Sequence, residues 1–165
     1  DAHIVTPHDV VKLPRTTSPS ALAAQAQKLL EEPQPLVLVV DDDRLVRPVL
    51  VRLIRRQGLR VLSAADGFQA LALAAEHQPD VIVLDIEMPD LNGYEVLQRL
   101  GQHAPTAHLP GVILTGNEPI IQQDGQGEAT QVVAYLEKPV AAERLIGVIM
   151  QVIKRNERAD GTASA

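Results

Sequence analysis

Polar side chains that could do chemistry directly follow short apolar runs at four places in the chain. Three consecutive carboxylates follow the first run, and single polar groups follow the others: Asp41, Asp42 and Asp43, then Asp85, Thr115 and Lys138. Carboxylates brought close together raise a pKa or require a cation. A hard divalent ion such as Mg²⁺ meets this requirement with oxygen ligands and can also neutralise a phosphoryl group in transit. The residue types therefore indicate phosphoryl chemistry at an acidic, metal-binding site.

A cation and a hydroxyl complete this set of groups. Lys138 is the only lysine between Leu36 and Ile153, where the other cationic residues are arginines. A lysine ammonium is a compact point charge that suits one phosphoryl oxygen or one carboxylate, and Thr115 can donate its hydroxyl to a second oxygen. Taken alone, each residue has a plainer explanation, such as a helix cap for Asp43. Their occurrence after four separate apolar runs favours a shared site.

The elements that must position these groups alternate between two periodicities. Apolar runs at 36–40 and 81–84 are typical of buried strands. Residues 111–114 and 132–136 predict two more strands, and 60–63 predicts a weak one. Helical apolar spacing separates or follows them, at 45–54, 66–77, 94–100 and 145–153. Because such alternation implies parallel pairing, we predict an α/β fold with a doubly wound, five-stranded parallel sheet of the flavodoxin-like type. Ligands bind such sheets at the carboxyl ends of the strands, where the polar groups stand.

One stretch departs from this alternation. Residues 117–130 contain Pro119, Gly125 and Gly127 and show little helical periodicity. Proline and glycine both disfavour the interior of a helix. We therefore predict that the helix between the fourth and fifth strands of the sheet, the fourth helix of this fold, is short or irregular.

Domain limits follow from local composition. Residues 1–35 hold five prolines and one segment of helical composition, at about 20–32. The chain from 36 to 155 is long enough for one well-buried core. Residues 156–165 are small and polar, which predicts a flexible tail. We thus expect an N-terminal linker with a short helix, one domain, and a mobile end.

Composition excludes several classes of protein. The chain has no cysteine, which excludes disulfide scaffolds, thiol catalysis and cysteine-ligated zinc. Three aromatic residues are too few for a base-stacking platform, and the net charge of −6 opposes binding to a phosphate backbone. No apolar run approaches the roughly 20 residues of a membrane span. We therefore expect no direct contact with nucleic acid or membrane, and a cytoplasmic location.

The motifs at the four strand ends resemble those of the receiver domain of two-component response regulators, over about residues 36–155. In chain order they are Leu-Val-Val-Asp-Asp-Asp, Ile-Val-Leu-Asp-Ile-Glu-Met-Pro followed by Asn-Gly, Ile-Leu-Thr-Gly, and Tyr-Leu-Glu-Lys-Pro. Each motif alone is weak, but their order and spacing together make the resemblance specific. Gly116 departs from the alanine or serine more usual in the family, and Gln131 to Ala134 replace its usual Gly-Ala pair.

The resemblance implies roles for the acidic residues. Asp85 is expected to be the phosphoacceptor, which takes a phosphoryl group from a histidine of a partner kinase or a phosphotransfer protein. Asp42 and Asp85 are expected to hold Mg²⁺, with Asp41 contributing through water and Glu87 through its backbone carbonyl. Such a protein is a switch rather than an enzyme, with at most its own phosphorylation from phosphohistidine and its own dephosphorylation.

The resemblance also implies roles on the last two strands. Lys138 is expected to pair with the phosphate, and its peptide bond to Pro139 is expected to be cis. Thr115 and Tyr135 are expected to form the switch pair, in which Thr115 moves to the phosphoryl group and Tyr135 turns inward. Among the three aromatic residues, Tyr135 is thus the one with an expected function, and the others are assigned to packing or to the surface.

Two other functions stay open on the sequence alone. Asp85-Ile86-Glu87 is similar to the paired acids of metal-dependent phosphohydrolases, although those enzymes place their nucleophile after the first strand. A degenerate receiver that acts only as a protein-binding module is the other alternative, against which the intact acids and Lys138 stand.

The flanking segments indicate a larger parent protein. The chain begins with an aspartate, and 35 residues precede the first strand of the sheet, whereas stand-alone regulators of this family begin near that strand. We therefore expect a receiver from a hybrid histidine kinase or a multidomain regulator. Basic residues on the last helix leave homodimer formation open. The first helix after the first strand of the sheet has a basic side. We interpret this side as a solvent-exposed face rather than as a docking surface for a partner. Its residues are Arg44, Arg47, Arg52, Arg55 and Arg56.

Overall fold

The secondary structure was assigned in a computed structural model, which describes residues 3–5, 10–12, 18–31, 34–116 and 131–163. A short hairpin and a helix come first in the chain: β1 (His3–Val5), β2 (Val10–Lys12) and α1 (Pro19–Glu31). The alternating part follows: β3 (Leu36–Val40), α2 (Val46–Arg55), β4 (Arg60–Ala64), α3 (Gly67–His77), β5 (Val81–Asp85), α4 (Gly93–Gly101), a 3₁₀ turn (Ala104–Thr106), β6 (Gly111–Thr115), β7 (Val132–Glu137) and α5 (Ala142–Ala163).

Strands β3 to β7 form one parallel sheet in the order β4-β3-β5-β6-β7. The predicted α/β fold with a five-stranded parallel sheet is confirmed. The register pairs Val40 of β3 with Leu84 of β5, so the residues that follow this pair, Asp41 and Asp85, lie side by side at the same edge of the sheet.

Both faces of the sheet are covered, which explains why its central strands are apolar throughout. Successive side chains of a strand point to opposite faces. Val37 and Val39 pack in a cluster with residues of α2 and α5, while Leu38 and Val40 pack in a second cluster with residues of α3 and α4. A strand covered in this way cannot alternate apolar with polar residues.

Side-chain caps fix where two of the helices begin. Asp66 accepts a hydrogen bond from the backbone N–H of Gln69 at 2.8 Å and caps α3. Asn92 and Glu95 form a reciprocal capping box at the start of α4, with both bonds at 2.9 Å. Such caps satisfy N–H groups that the helix itself leaves without partners. They therefore hold the loops after β4 and β5 in a defined path.

Two details at the ends of the chain differ from expectation or refine it. Helix α5 continues to Ala163, so the segment predicted as a flexible tail from residue 156 is helical as far as that residue. Its Asn-Glu-Arg-Ala sequence contains no proline, and its one glycine, Gly161, lies near the helix end, where a glycine costs little. Helix α1 lies where the composition predicted it, at Pro19–Glu31, and Ser18 accepts a hydrogen bond from the N–H of Ala21.

The prediction of a short or irregular helix at 117–130 lies outside the described residues. Within the described ranges, no helix combines the length and the apolar character needed to cross a bilayer.

Candidate functional site

The carboxylates of Asp41, Asp42 and Asp85 meet at the carboxyl edge of the sheet. One oxygen from each of the three lies within 4.8 Å of the other two. Asp41 is fully buried and Asp85 is only 4% exposed, whereas Asp42 is exposed to solvent. Two buried acids and one open acid therefore share a small space. This arrangement follows from the strand order, because β3 and β5 are neighbours.

Lys138 reaches this group from the end of β7, across the tip of β6. Its Nζ lies 3.1 Å from Asp41 Oδ2 and 3.2 Å from Asp85 Oδ1. The backbone N–H of Lys138 donates to the carbonyl of Thr115 at 2.7 Å, and its peptide bond to Pro139 is cis, as predicted. One ammonium thus bridges the two buried carboxylates.

Asp41 is held by bonds on every side. Its Oδ1 accepts the backbone N–H of Asp43 at 2.9 Å, while its Oδ2 accepts Lys138. Its backbone carbonyl accepts a hydrogen bond from Arg47 Nη1 at 2.8 Å. Burial of a carboxyl group is costly unless it is paired and hydrogen-bonded. Both carboxylate oxygens and the carbonyl of Asp41 are therefore engaged in hydrogen bonds within the domain.

The carboxylate of Asp85 accepts hydrogen bonds through only one of its two oxygens, whereas both oxygens of Asp41 accept them. Asp85 Oδ1 accepts Lys138 and, at 3.3 Å, the backbone N–H of Glu87. Its Oδ2 has no hydrogen-bond partner among the described residues, and this atom is not fully buried. Asp85 Oδ2 is consequently the carboxylate oxygen of the buried pair that remains available to an incoming group.

The charges in the site shift two pKa values. Burial raises the pKa of Asp85, and the charge of Asp41 acts in the same direction, against the opposing charge of Lys138. Burial alone would lower the pKa of Lys138, but its hydrogen bond to Asp41 and the charges of Asp41 and Asp85 together raise it. The lysine therefore keeps its charge at neutral pH, whereas burial disfavours the charged form of the Asp85 carboxyl.

The two other acidic residues in the predicted motifs lie outside this carboxylate group. Asp43 Oδ1 accepts the backbone N–H groups of Leu45 and Val46 at 2.7 and 3.2 Å, and these bonds lower its pKa. Asp43 thus caps the turn into α2. The side chain of Glu87 is exposed, and its backbone N–H contacts Asp85. The role predicted for its carbonyl stays a prediction.

Thr115 and Tyr135 stand beside the acidic group on the last two strands. Thr115 is buried at the end of β6, and Tyr135 is 41% exposed on β7. Both line a cavity that also contains Lys138. Tyr94 lies in the first turn of α4 close to Tyr135, and burial first, then the neighbouring Tyr135 hydroxyl, raise the pKa of Tyr94.

The sequence missed Tyr94 and Arg47 as contributors to the site. Tyr94 was assigned to packing or to the surface, and no sequence pattern links it to Tyr135, because the two residues lie on different elements. Arg47 was placed on a basic helix face, whereas its guanidinium contacts the Asp41 carbonyl. The signal in that case was the position of Arg47 one turn after the capping Asp43, from which it can reach back to the strand end.

We expect Asp85→Asn to increase the free energy of unfolding at pH 7 in the presence of EDTA. Because the pKa of Asp85 is raised in the folded state, its ionisation destabilises the fold relative to the unfolded chain. Lys138 keeps Asp41 as a partner in the variant. As the pH falls through the raised pKa, the natural side chain becomes neutral and the advantage of the variant shrinks.

Urea denaturation at several pH values measures this difference. Asp90→Asn is the matched control, because Asp90 is exposed in the same loop and its φ of 69° is one that asparagine also tolerates. Equal stability of the two variants at pH 7 would contradict the expectation.

Comparison with known proteins agrees with the fold. The family model of the response regulator receiver domain matches residues 37–150, more than half of the chain. The chain belongs to the response regulator receiver domain family. It is a receiver domain of two-component signalling.

Two relatives of known description are named as regulators. The chain is 37% identical over 128 residues to the response regulator MprA of Mycobacterium sp. strain KMS, and this alignment covers 78% of the chain and 54% of MprA. It is 33% identical over 124 residues to the DNA-binding dual master transcriptional regulator RpaA of Synechocystis sp., and this alignment covers 75% of the chain and 51% of RpaA. The chain thus spans about half the length of the curated relatives it matches.

Solved structures show the same fold. The chemotaxis protein CheY4 of Vibrio cholerae superimposes with a TM-score of 0.67 at 29% identity, over 73% of this chain and 99% of that one. The receiver domain of the Francisella response regulator 1452 gives a TM-score of 0.66 at 30% identity, over 74% of this chain and 99% of that one.

Proposed function

We propose that this receiver domain accepts a phosphoryl group on Asp85 from a phosphohistidine and acts as a switch in a phosphorelay. The observation that carries the proposal is the open Oδ2 of a buried carboxylate whose other oxygen is held by Lys138. This oxygen attacks phosphorus, the P–N bond of the phosphohistidine breaks, and the imidazole nitrogen keeps the electron pair. The departing nitrogen takes up one proton from solvent, so the products are an aspartyl phosphate and a neutral histidine on the donor.

The donor set of the site fits Mg²⁺. Three carboxylates meet here, those of Asp41, Asp42 and Asp85. Among the described residues, Lys138 is the only cation in contact with them. We propose that Asp42 and Asp85 hold the ion, with Asp41 acting through water and Glu87 through its carbonyl. When bound, the ion neutralises charge on the phosphoryl oxygens. Hard oxygen ligands and retained waters are what Mg²⁺ prefers.

Lys138 and Thr115 have separate tasks in this proposal. Lys138 binds a phosphoryl oxygen through the ammonium that now bridges Asp41 and Asp85. Thr115 donates its hydroxyl to another, and Tyr135 turns inward behind it. A phosphoryl group adds about −1.5 to −2 charges, which shifts the equilibrium between two states of this pair. Chemistry performed by the chain is limited to its own phosphorylation and dephosphorylation.

The surroundings of the domain are part of the same proposal. A histidine kinase or a histidine phosphotransfer protein is the phosphoryl donor, in the cytoplasm. The domain itself contacts neither nucleic acid nor membrane, and DNA binding, as in the name of RpaA, belongs in such a case to another part of a regulator. The parent protein is a hybrid kinase or a multidomain regulator.

Incubation with acetyl phosphate tests the proposal. We expect intact-mass spectrometry to show one phosphoryl group per chain in Mg²⁺ and none in excess EDTA, because three clustered carboxylates repel a phosphoryl donor unless a cation neutralises them. Sustained release of phosphate from a phosphomonoester would instead identify a phosphohydrolase. Absence of both phosphorylation and beryllofluoride binding in Mg²⁺ would identify a binding module.

A further inference from the structure

A basic groove lies between α2 and the outer edge of the sheet at β4. It has a volume of about 620 Å³, and its lining includes Ser63 of β4 and four arginines of α2 and its C-terminal end: Arg47, Arg52, Arg55 and Arg56. The first of these arginines also contacts the Asp41 carbonyl, so the groove starts beside the acidic site and extends away from it along the helix.

The charges of this groove are not neutralised within the described part of the chain. Among the described residues, no carboxylate lies within 4.0 Å of any of the four guanidinium groups, and of the four only Arg47 donates a side-chain hydrogen bond, to the Asp41 carbonyl. Arg52, Arg55 and Arg56 are exposed. A concentrated positive patch therefore persists on a chain whose net charge is −6.

The edge strand adds a second feature to the groove. Among the described strands, β4 pairs only with β3 and ends the sheet. Arg60 and Ala64 bond to the β3 side, through Arg60 N–H to Pro35 and through the Ala64 carbonyl to Asp41. Because backbone groups alternate along a strand, those of Val61 and Ser63 point outward. Ser63 thus presents an N–H and a carbonyl at the wall of the groove.

We propose that this groove binds an extended acidic segment of a protein partner. Guanidinium groups bind carboxylates in a bidentate manner, and an open strand edge accepts an added strand through its backbone groups. A nucleic acid fits less well, because its backbone has no row of N–H and C=O groups that could pair with the open edge of β4. This surface is separate from phosphoryl acceptance and does not depend on it.

Fluorescence anisotropy of a fluorescein-labelled peptide of alternating glutamate and threonine tests the groove. We expect saturable binding to the whole chain and a loss of affinity of at least about tenfold in the double variant Arg52→Glu, Arg55→Glu. The matched control is Arg144→Glu with Arg155→Glu, which makes the same charge change at exposed positions of α5. We expect this control to bind the peptide within about twofold of the natural chain.

A second peptide, with proline in place of each threonine, tests the contribution of the strand edge. Proline removes backbone donors, so we expect weaker binding at the same charge. Equal loss of affinity in both double variants would overturn the proposal in favour of a general charge effect. A single-stranded oligonucleotide of the same charge is the third probe. If it binds more tightly than the peptide, and Arg52→Glu with Arg55→Glu abolishes that binding, the proposal is overturned in favour of nucleic acid.

Discussion

Replacement of Asp85 by asparagine is expected to abolish phosphorylation by acetyl phosphate in Mg²⁺. The amide has no carboxylate oxygen to attack phosphorus, and no other described acid combines burial with an open oxygen. Asp41 is fully buried, and both of its oxygens accept hydrogen bonds. The loss should therefore be complete rather than partial, and intact-mass spectrometry measures it directly.

Asp43→Asn is the sharpest control for this experiment. Asp43 belongs to the same acidic run, but its Oδ1 accepts the backbone N–H groups of Leu45 and Val46 in the turn that leads into α2, and an asparagine side chain accepts such bonds as well as aspartate does. The control thus removes one nearby charge and keeps the local structure. We expect it to retain phosphorylation. A phosphoryl group that remains on Asp85→Asn would show that the acceptor is another residue.

Replacement of Gly93 by alanine is expected to destabilise the fold and to impair the acceptor together. A Cβ at this position would lie 2.6 Å from the Asp85 carbonyl oxygen and 3.1 Å from Ile86 Cα. These are backbone atoms that cannot rotate away, so α4 must shift from the strand end that carries Asp85. Overpacking of this kind costs about 2–3 kcal/mol, which corresponds to a fall in Tm of roughly 6–12 °C.

Gly147→Ala provides the opposite expectation in the same chain. A Cβ at Gly147 meets no atom within 4 Å, and the residue lies inside α5. Alanine is favoured over glycine there by up to about 1 kcal/mol. Thermal unfolding and acetyl phosphate labelling of both variants test the contrast. A Gly93→Ala chain as stable and as readily labelled as the natural chain would show that the approach of α4 to Asp85 is not a constraint.

The sequence predicted the fold well because the central strands β3, β5 and β6 are apolar almost throughout. The bounds of β3, at 36–40, were predicted without error, since a strand covered on both faces leaves little ambiguity. Strands β5, β6 and β7 each extend one residue further than predicted, onto Asp85, Thr115 and Glu137. Apolar runs stop before these polar residues, whereas the backbone ladder includes them.

The site was predictable only at the level of strand ends. Parallel strands bring their carboxyl ends to one edge, so the meeting of Asp41, Asp42 and Asp85 follows from their positions after β3 and β5. Lys138 bridges two of these acids because its side chain crosses the tip of β6. The spacing of residues in the sequence does not encode the path of that side chain. The contact of Arg47 with the Asp41 carbonyl depends likewise on where α2 begins.

The proximity of Tyr94 and Tyr135 has a spectroscopic consequence. The chain contains no tryptophan and only these two tyrosines, which lie close enough for Tyr135 to raise the pKa of Tyr94. Under excitation near the tyrosine absorbance maximum, its intrinsic fluorescence therefore originates entirely from a single pair of rings. Because one of them is the residue proposed to turn inward when Asp85 carries phosphate, the unlabelled chain contains its own optical reporter of that movement.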